Sequence, residues 1–259
     1  MCSCLPGLGM TKSLQPEQDA YGHLMLDWFE GRPAAEIVER DDGLIMANRG
    51  PVNYFQPLRR WPMPERRAMR WASGRVLDVG CGPGRVALHL QSRGLRVTGI
   101  DLSPLAIQVA QARGVRDARL IALSDIGPEL GLFDTVAMFG SNFGLFGSAA
   151  GAARRLHVLA SITSPAAKIL AGSLNPYDTE DPVHLAYHRR NKALGRMAGQ
   201  ARLRVGHRQW ATPWFDYLLV SPQEMDELAR RGGWRVDRLL DDGNPYYVGV
   251  LVKQPRQPR

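Results

Sequence analysis

The sequence predicts an α/β protein: a doubly wound sheet of seven strands that finishes in a C-terminal antiparallel hairpin, with a helical N-terminal cap and an inserted helix and hairpin. Three observations predict it. From residue 75 to 174, apolar runs of strand length alternate with helical stretches, as parallel strands joined by right-handed crossovers require. The first run ends in Gly80-Cys81-Gly82-Pro83-Gly84, a turn whose glycines let the backbone approach a ligand. The second run ends, about twenty residues on, in the carboxylate of Asp101.

Residues 1–14 read as a disordered tail, in which Met10-Thr11-Lys12 resembles a second start. Cys2 and Cys4 are too close to bridge, and no second Cys or His pair completes a tetrahedral site, so no metal is expected. Residues 15–70 form the cap. Leu24, Trp28 and Phe29 share a helix face before Gly31, and Pro33 opens a second short helix through Ile37 and Val38. Residues 47–65 are irregular and carry Tyr54, Phe55 and Trp61; a helix from Glu65 to Trp71 leads into the core.

The core spans 71–254. Strands are expected at 75–80, 96–101, 118–123, 133–139 and 167–174, and helices at 84–92, 104–112 and 149–161. Ser103-Pro104 is a cap and first helical residue, and Ser221-Pro222-Gln223-Glu224 a capping box for a helix that stops at Gly232. Strands 234–240 and 246–252 flank the turn 241–245. The insertion, 175–220, reads as a helix from Asp181-Pro182 and a hairpin of 202–209 with 214–220, placed at the carboxyl ends of the strands. Residues 255–259 are a tail.

No apolar run approaches the ~20 residues that cross a bilayer, and the first residues lack the basic and apolar regions of a secretory signal. A cytoplasmic protein without membrane partners is expected. The net charge of +8 comes from arginines scattered along the chain, which gives a nucleic-acid partner little support.

In an open parallel sheet, ligands bind outside the carboxyl ends of the strands where strand order reverses. Gly80, Cys81, Gly82 and Gly84 would cradle a ligand there, with helix amides starting near Gly84. Asp78 can accept from an ammonium or from loop amides. Asp101 can chelate two ribose hydroxyls, Ser124-Asp125 can accept from an adenine amino group, and Leu102 and Ile126 can sandwich the ring. Phe139 ends the fourth strand at the same edge. A dinucleotide fingerprint needs Gly or Ala at its sixth position, where Arg85 stands, which disfavours an NAD-type oxidoreductase.

Val76 to Arg85 resembles motif I of class I methyltransferases, Ile100-Asp101-Leu102-Ser103 their acidic second-strand motif, Ser124-Asp125 their adenine motif and Phe133-Asp134-Thr135-Val136 their fourth-strand motif. Asn142-Phe143-Gly144-Leu145-Phe146-Gly147 is similar to a turn in small, uncharacterised members. The resemblance covers residues 70–175. It implies a Rossmann-like fold, S-adenosyl-L-methionine as cofactor and methyl transfer, and it leaves the acceptor open.

Methyl transfer is an in-line displacement, so positioning the acceptor supplies much of the acceleration and a base is optional. His184 and His188 lie four apart on one face of the inserted helix, with Tyr187 beside them. They read as a base facing the pocket, as a metal pair, or as surface histidines; the metal reading lacks the Glu of His-Glu-x-x-His, Leu185 standing there. Tyr54, Asn142, Tyr177 and Trp214 are the candidate acceptor contacts. Phe139-Gly140-Ser141-Asn142-Phe143 departs from the Asn/Asp-Pro-Pro-aromatic pattern of amino-group enzymes. Arg202, Arg204 and Arg208 share a hairpin face, either gripping an acidic substrate or RNA or forming a solvated edge. One face of Trp214-Phe215-Asp216-Tyr217 is free for a pocket or a homodimer contact. The expectation is a small-molecule or natural-product acceptor, peptides included; the rivals are RNA or protein methylation and the oxidoreductase.

Overall fold

Residues 14–48 and 50–255 are described by a computed structural model; the N-terminal tail to residue 13, with Cys2 and Cys4, and residues 256–259 of the C-terminal tail lie outside it. In chain order, the N-terminal part is α1 (Ala20–Phe29), β1 (Glu36–Arg40), β2 (Ile45–Asn48), α2 (Val52–Phe55) and α3 (Met63–Ala68). Next come β3 (Arg75–Val79), α4 (Arg85–Ser92), β4 (Arg96–Asp101), α5 (Pro104–Ala112), β5 (Ala118–Leu120), β6 (Phe133–Met138), α6 (Ala149–Ser161) and β7 (Thr163–Leu174). The insertion holds α7 (Pro182–Ala193), β8 (Gln200–His207), β9 (Trp210–Ala211) and β10 (Phe215–Leu218). The chain closes with α8 (Pro222–Arg231), β11 (Trp234–Leu240) and β12 (Tyr246–Lys253).

The large sheet has the order β11-β12-β7-β6-β3-β4-β5. Pairs from β7 to β5 are parallel, and β12 runs antiparallel to both its neighbours. The strands read as near-continuous apolar runs because both faces are covered: Leu77, Val136 and Ile169 are fully buried on one, Val76, Ala137 and Leu170 on the other. The chain starts the sheet in the middle at β3, builds outward to β5, then returns to β6 on the other side. That reversal opens a crevice beyond the carboxyl ends of β3, β4 and β6.

The short helix expected through Ile37 and Val38 is instead half of a hairpin, so the N-terminal cap is only partly helical. Glu36, Val38 and Arg40 are buried while Ile37 is exposed, the period of two that a strand imposes. Gly43 at φ +88° makes the turn to β2. What decides between helix and strand is the partner, because β1 pairs with β8, supplied by the insertion. Both halves of the cap thereby merge into one antiparallel sheet, β10-β8-β1-β2, with β9 attached to β8. One face of this sheet, with Glu36, Val38 and Arg40 alternating on β1 and Ala201, Leu203 and Val205 on β8, lines the crevice. Arg202 and Arg204 therefore point the other way. Arg204 pairs with Glu39, and Arg208 with Asp27.

Asp19 fastens the cap to the core. Its carboxylate is 1% exposed and caps two helices at once, accepting from the Gly22 amide of α1 at 3.0 Å and from the Leu105 amide of α5 at 3.0 Å. No described helix is long and apolar enough to cross a membrane.

Candidate active site

The crevice between the two sheets has a volume of ≈ 980 Å³, at the upper end of the range for small-molecule sites and large enough for a nucleoside cofactor with an acceptor beside it. Its floor is the turn after β3. Gly80 has φ +67°, and a Cβ there would stand 2.6 Å from Asn142 Nδ2; at Gly82, φ +51°, it would stand 2.7 Å from the Tyr21 hydroxyl. Only glycine admits that backbone and those neighbours. Asp78, Gly80 and Cys81 line the crevice, and so do Asp101, Leu102, Ser124 and Phe139. Gly82 lies under Tyr21, and Gly84 packs against Val115 as the left-handed residue preceding α4, so neither lines it.

Two carboxylates define the floor's electrostatics. Asp101 accepts from the Gly82 amide at 2.8 Å and from the Ser103 amide at 3.0 Å, one on each oxygen, so its orientation is fixed. Burial raises its pKa, against the pull of those amides. Asp78 is 2% exposed, and its Oδ2 has no hydrogen-bond partner. Burial pushes this carboxyl up to about 7, with the Arg85 guanidinium pulling back. Arg85 itself lies over the Trp61 ring at 4.4 Å and donates at 2.8 Å to the buried Glu65. Glu65 also accepts from the Gly140 amide at 3.0 Å and the Tyr246 hydroxyl at 2.7 Å, joining α3, α4, β6 and β12.

Besides Gly82 and Gly84, Asp125 and Ile126, also assigned to the cofactor, do not reach the crevice. β5 ends at Leu120, short of the strand expected to 123, and the 3-10 turn Leu123–Asp125 swings the chain away from the strand direction. Asp125 is exposed and accepts from Ser124 Oγ at 2.8 Å; Ile126 is 7% exposed in the core. Ile121, Ala122 and Leu123 take the wall position instead.

At the acceptor end Tyr54 and Asn142 line the crevice. The Asn142 amide is committed to the turn, donating to the carbonyls of Val79 and Gly80 at 2.9 and 3.0 Å, which makes it a positioning residue. Tyr177 lies outside the lining, 44% exposed, with its hydroxyl donating to Glu224 at 2.6 Å. Trp214 stacks beneath the Arg204 guanidinium at 4.9 Å on the outer face, and its neighbours Phe215 and Tyr217 line the crevice instead.

His184, Tyr187 and His188 all line the crevice. Arg40 Nη1 lies 3.0 Å from His184 Nδ1; a guanidinium only donates, so Nδ1 accepts and the ring hydrogen sits on Nε2. His184 Nδ1 is thus taken up by Arg40 and is not available as a base. The Tyr187 hydroxyl donates to Asp41 at 2.6 Å and accepts from the Arg202 amide at 3.2 Å, and its own pKa rises to about 12. It is a strut between α7 and the cap sheet. His188 is half-buried; burial, with His184 and Arg40 nearby, holds it below its ordinary value and therefore neutral near pH 7. No group of three metal-ligating side chains occurs among the described residues.

The crevice also contains Glu36, Tyr21 and Tyr217, of which Glu36 carries no signal in sequence because Pro33 predicts a helix where its strand stands. Tyr21 and Tyr54 meet edge to face at 5.5 Å, and the Tyr54 hydroxyl donates to Glu36 at 3.2 Å.

Residues 76–160 match the methyltransferase domain family. The ubiquinone biosynthesis O-methyltransferase of Chromobacterium violaceum is 39% identical over 92 residues, 33% of this chain and 39% of that protein. That of Dechloromonas aromatica is 32% identical over 134 residues, 49% and 50% of the two. The chain thus spans half or less of these relatives. A SAM-dependent methyltransferase from Bacteroides fragilis, solved in complex with S-adenosyl-L-homocysteine, superposes with a TM-score of 0.80 at 26% identity, covering 94% of this chain and 98% of that one. The CcbJ methyltransferase of Streptomyces caelestis shares the fold, with a TM-score of 0.51 at 19% identity over 71% of this chain and 90% of that one.

Proposed function

We propose that this chain, a class I S-adenosylmethionine-dependent methyltransferase, methylates a small molecule enclosed between its two sheets. The observation that carries the reading is the crevice of ≈ 980 Å³ with the motif turn on one side and the cap sheet on the other. The residues fit the cofactor: a buried carboxylate oxygen on Asp78 lacks a partner, and the Asp101 carboxylate, held by two amides, stands at the crevice at the end of β4. When bound, the cofactor supplies an electrophilic methyl group on a sulfonium. Asp78 and the turn would hold its amino-acid end, Asp101 its ribose hydroxyls, and Leu102 with Ala122 and Leu123 its adenine. Val38, Leu203 and Phe215 on the cap sheet exclude water and orient the acceptor.

The methyltransferase family match bears on the donor half alone, because it ends at residue 160 and the cap sheet takes β8 and β10 from beyond it. The cap sheet walling one side of the crevice favours a small acceptor over RNA or protein, and the arginine face of β8 turns away from the crevice. Incubating the chain and a cell extract with methyl-labelled S-adenosylmethionine tests this by mass spectrometry. Label in the small-molecule fraction is the expected result; label confined to RNA or protein would overturn it.

A pH dependence arises from Asp78. Its folded pKa of about 7 lies above the ordinary value of 3.8, so the stability its neutral form contributes is present below the unfolded value and is lost as pH rises through about 7. A ligand ammonium beside it favours the ionised form and releases a proton on binding. Affinity for S-adenosylhomocysteine should therefore rise across roughly pH 6 to 8, and Asp78→Asn should flatten the profile; calorimetric titration at several pH values reads both.

A further inference from the structure

We infer that the acceptor is an amine, held as its cation by the Glu36 carboxylate and the Tyr54 and Tyr217 rings before methylation. The inference rests on the methyltransferase reading and names its substrate class. Glu36 is 6% exposed, faces the crevice from the first position of β1 and accepts from the Tyr54 hydroxyl at 3.2 Å. Two aromatic corners flank the same space. Tyr21 and Tyr54 meet at 5.5 Å and 80°, and Phe215 and Tyr217 at 6.3 Å and 79°. All four rings line the crevice, and perpendicular rings offer a cation electron-rich faces from more than one direction.

The cluster borders the donor side. The Tyr21 hydroxyl lies over Gly82 of the motif turn, and the Tyr217 hydroxyl donates at 2.7 Å to the Ser141 carbonyl just beyond β6, its ring seated on Gly144. Burial first, and then the charge of Glu36, raises the pKa of both Tyr54 and Tyr217, so neither hydroxyl acts as a base near neutral pH. Two imidazoles reach the crevice from α7: His184 is tied through Nδ1 to Arg40, and His188 sits among Arg40, Lys192 and Glu224. A phenol or alcohol acceptor often benefits from a base matched to its proton. An ammonium needs only a carboxylate to hold it and solvent to take one proton.

In the step so defined, the ammonium loses one proton to solvent past Glu36, and the nitrogen lone pair forms the N–C bond as the C–S bond of S-adenosylmethionine breaks. S-adenosylhomocysteine leaves, and the product is the protonated N-methylamine.

The test is a calorimetric titration of the full chain saturated with S-adenosylhomocysteine, using choline and its neutral isostere 3,3-dimethylbutan-1-ol. Choline should bind at least tenfold more tightly. Glu36→Gln should erase that preference while the affinity for S-adenosylhomocysteine stays within twofold. Tyr217→Leu, which leaves Glu36 in place, should weaken choline severalfold and serves where Glu36→Gln does not fold. Equal affinity for the two probes, binding of neither, or a preference that survives in both variants would overturn the inference with the methyltransferase reading intact. Failure of S-adenosylhomocysteine itself to bind would overturn that reading and this inference with it.

Discussion

Replacing Asp101 with alanine should weaken S-adenosylhomocysteine binding by a factor on the order of 100 or more. The carboxylate ends β4 at the crevice and is already oriented by the Gly82 and Ser103 amides, so little conformational entropy is lost when ribose hydroxyls donate to its remaining lone pairs. Two bonds to a charged acceptor contribute roughly 1.5–3 kcal/mol each, and about 1.4 kcal/mol is a factor of ten. The substitution also strips an acceptor from the Gly82 amide, loosening the turn that carries the other cofactor contacts. Asp101→Asn keeps one acceptor oxygen and should fall between. Calorimetric titration measures all three proteins, and an unchanged dissociation constant for the alanine variant would refute the ribose role.

Glu65→Ala should produce the largest loss of stability. The side chain is 1% exposed and holds Arg85, the Gly140 amide and the Tyr246 hydroxyl together. Removing it leaves a guanidinium at 12% side-chain exposure without its ion partner, and breaking a buried pair in this way costs about 3–5 kcal/mol. For a chain of this size each kcal/mol lowers Tm by roughly 2–4 °C, so a fall on the order of 6–20 °C is expected in thermal denaturation. Glu65→Gln retains acceptors for Gly140 and Tyr246 and should lose less. A melting curve that overlays the native one would show that the hub does not join the strand ends as described.

What was legible in the sequence was local. The turn Gly80 to Gly84 and the acid at Asp101 are encoded by residues a few positions apart, and each sits at the crevice or directly beneath it. The caps at Ser103 and Ser221 also stand where their side chains predict, Ser221 with a full capping box. What was not legible depends on distant partners. Ile37 and Val38 come after a helix-opening proline, yet β8, far along the chain, makes them a strand and brings Glu36 into the crevice. Period two divides Trp214 to Tyr217 into two faces, but only the pairing of β10 with β8 decides that Phe215 and Tyr217, not Trp214, look inward. Asp125 and Ile126 miss the crevice because β5 stops three residues early, a boundary that tertiary packing sets. His184 lost its role as base to Arg40, a residue of β1 whose approach no spacing in α7 reveals.

The central claim is that the crevice beyond β3 and β4 is built for S-adenosylmethionine, and calorimetric titration of the intact chain with S-adenosylhomocysteine and, separately, with NAD tests it most directly. Single-site binding of S-adenosylhomocysteine, lost in Asp101→Ala, with no heat from NAD, is the predicted result. Binding of NAD at one site with none of S-adenosylhomocysteine would contradict it.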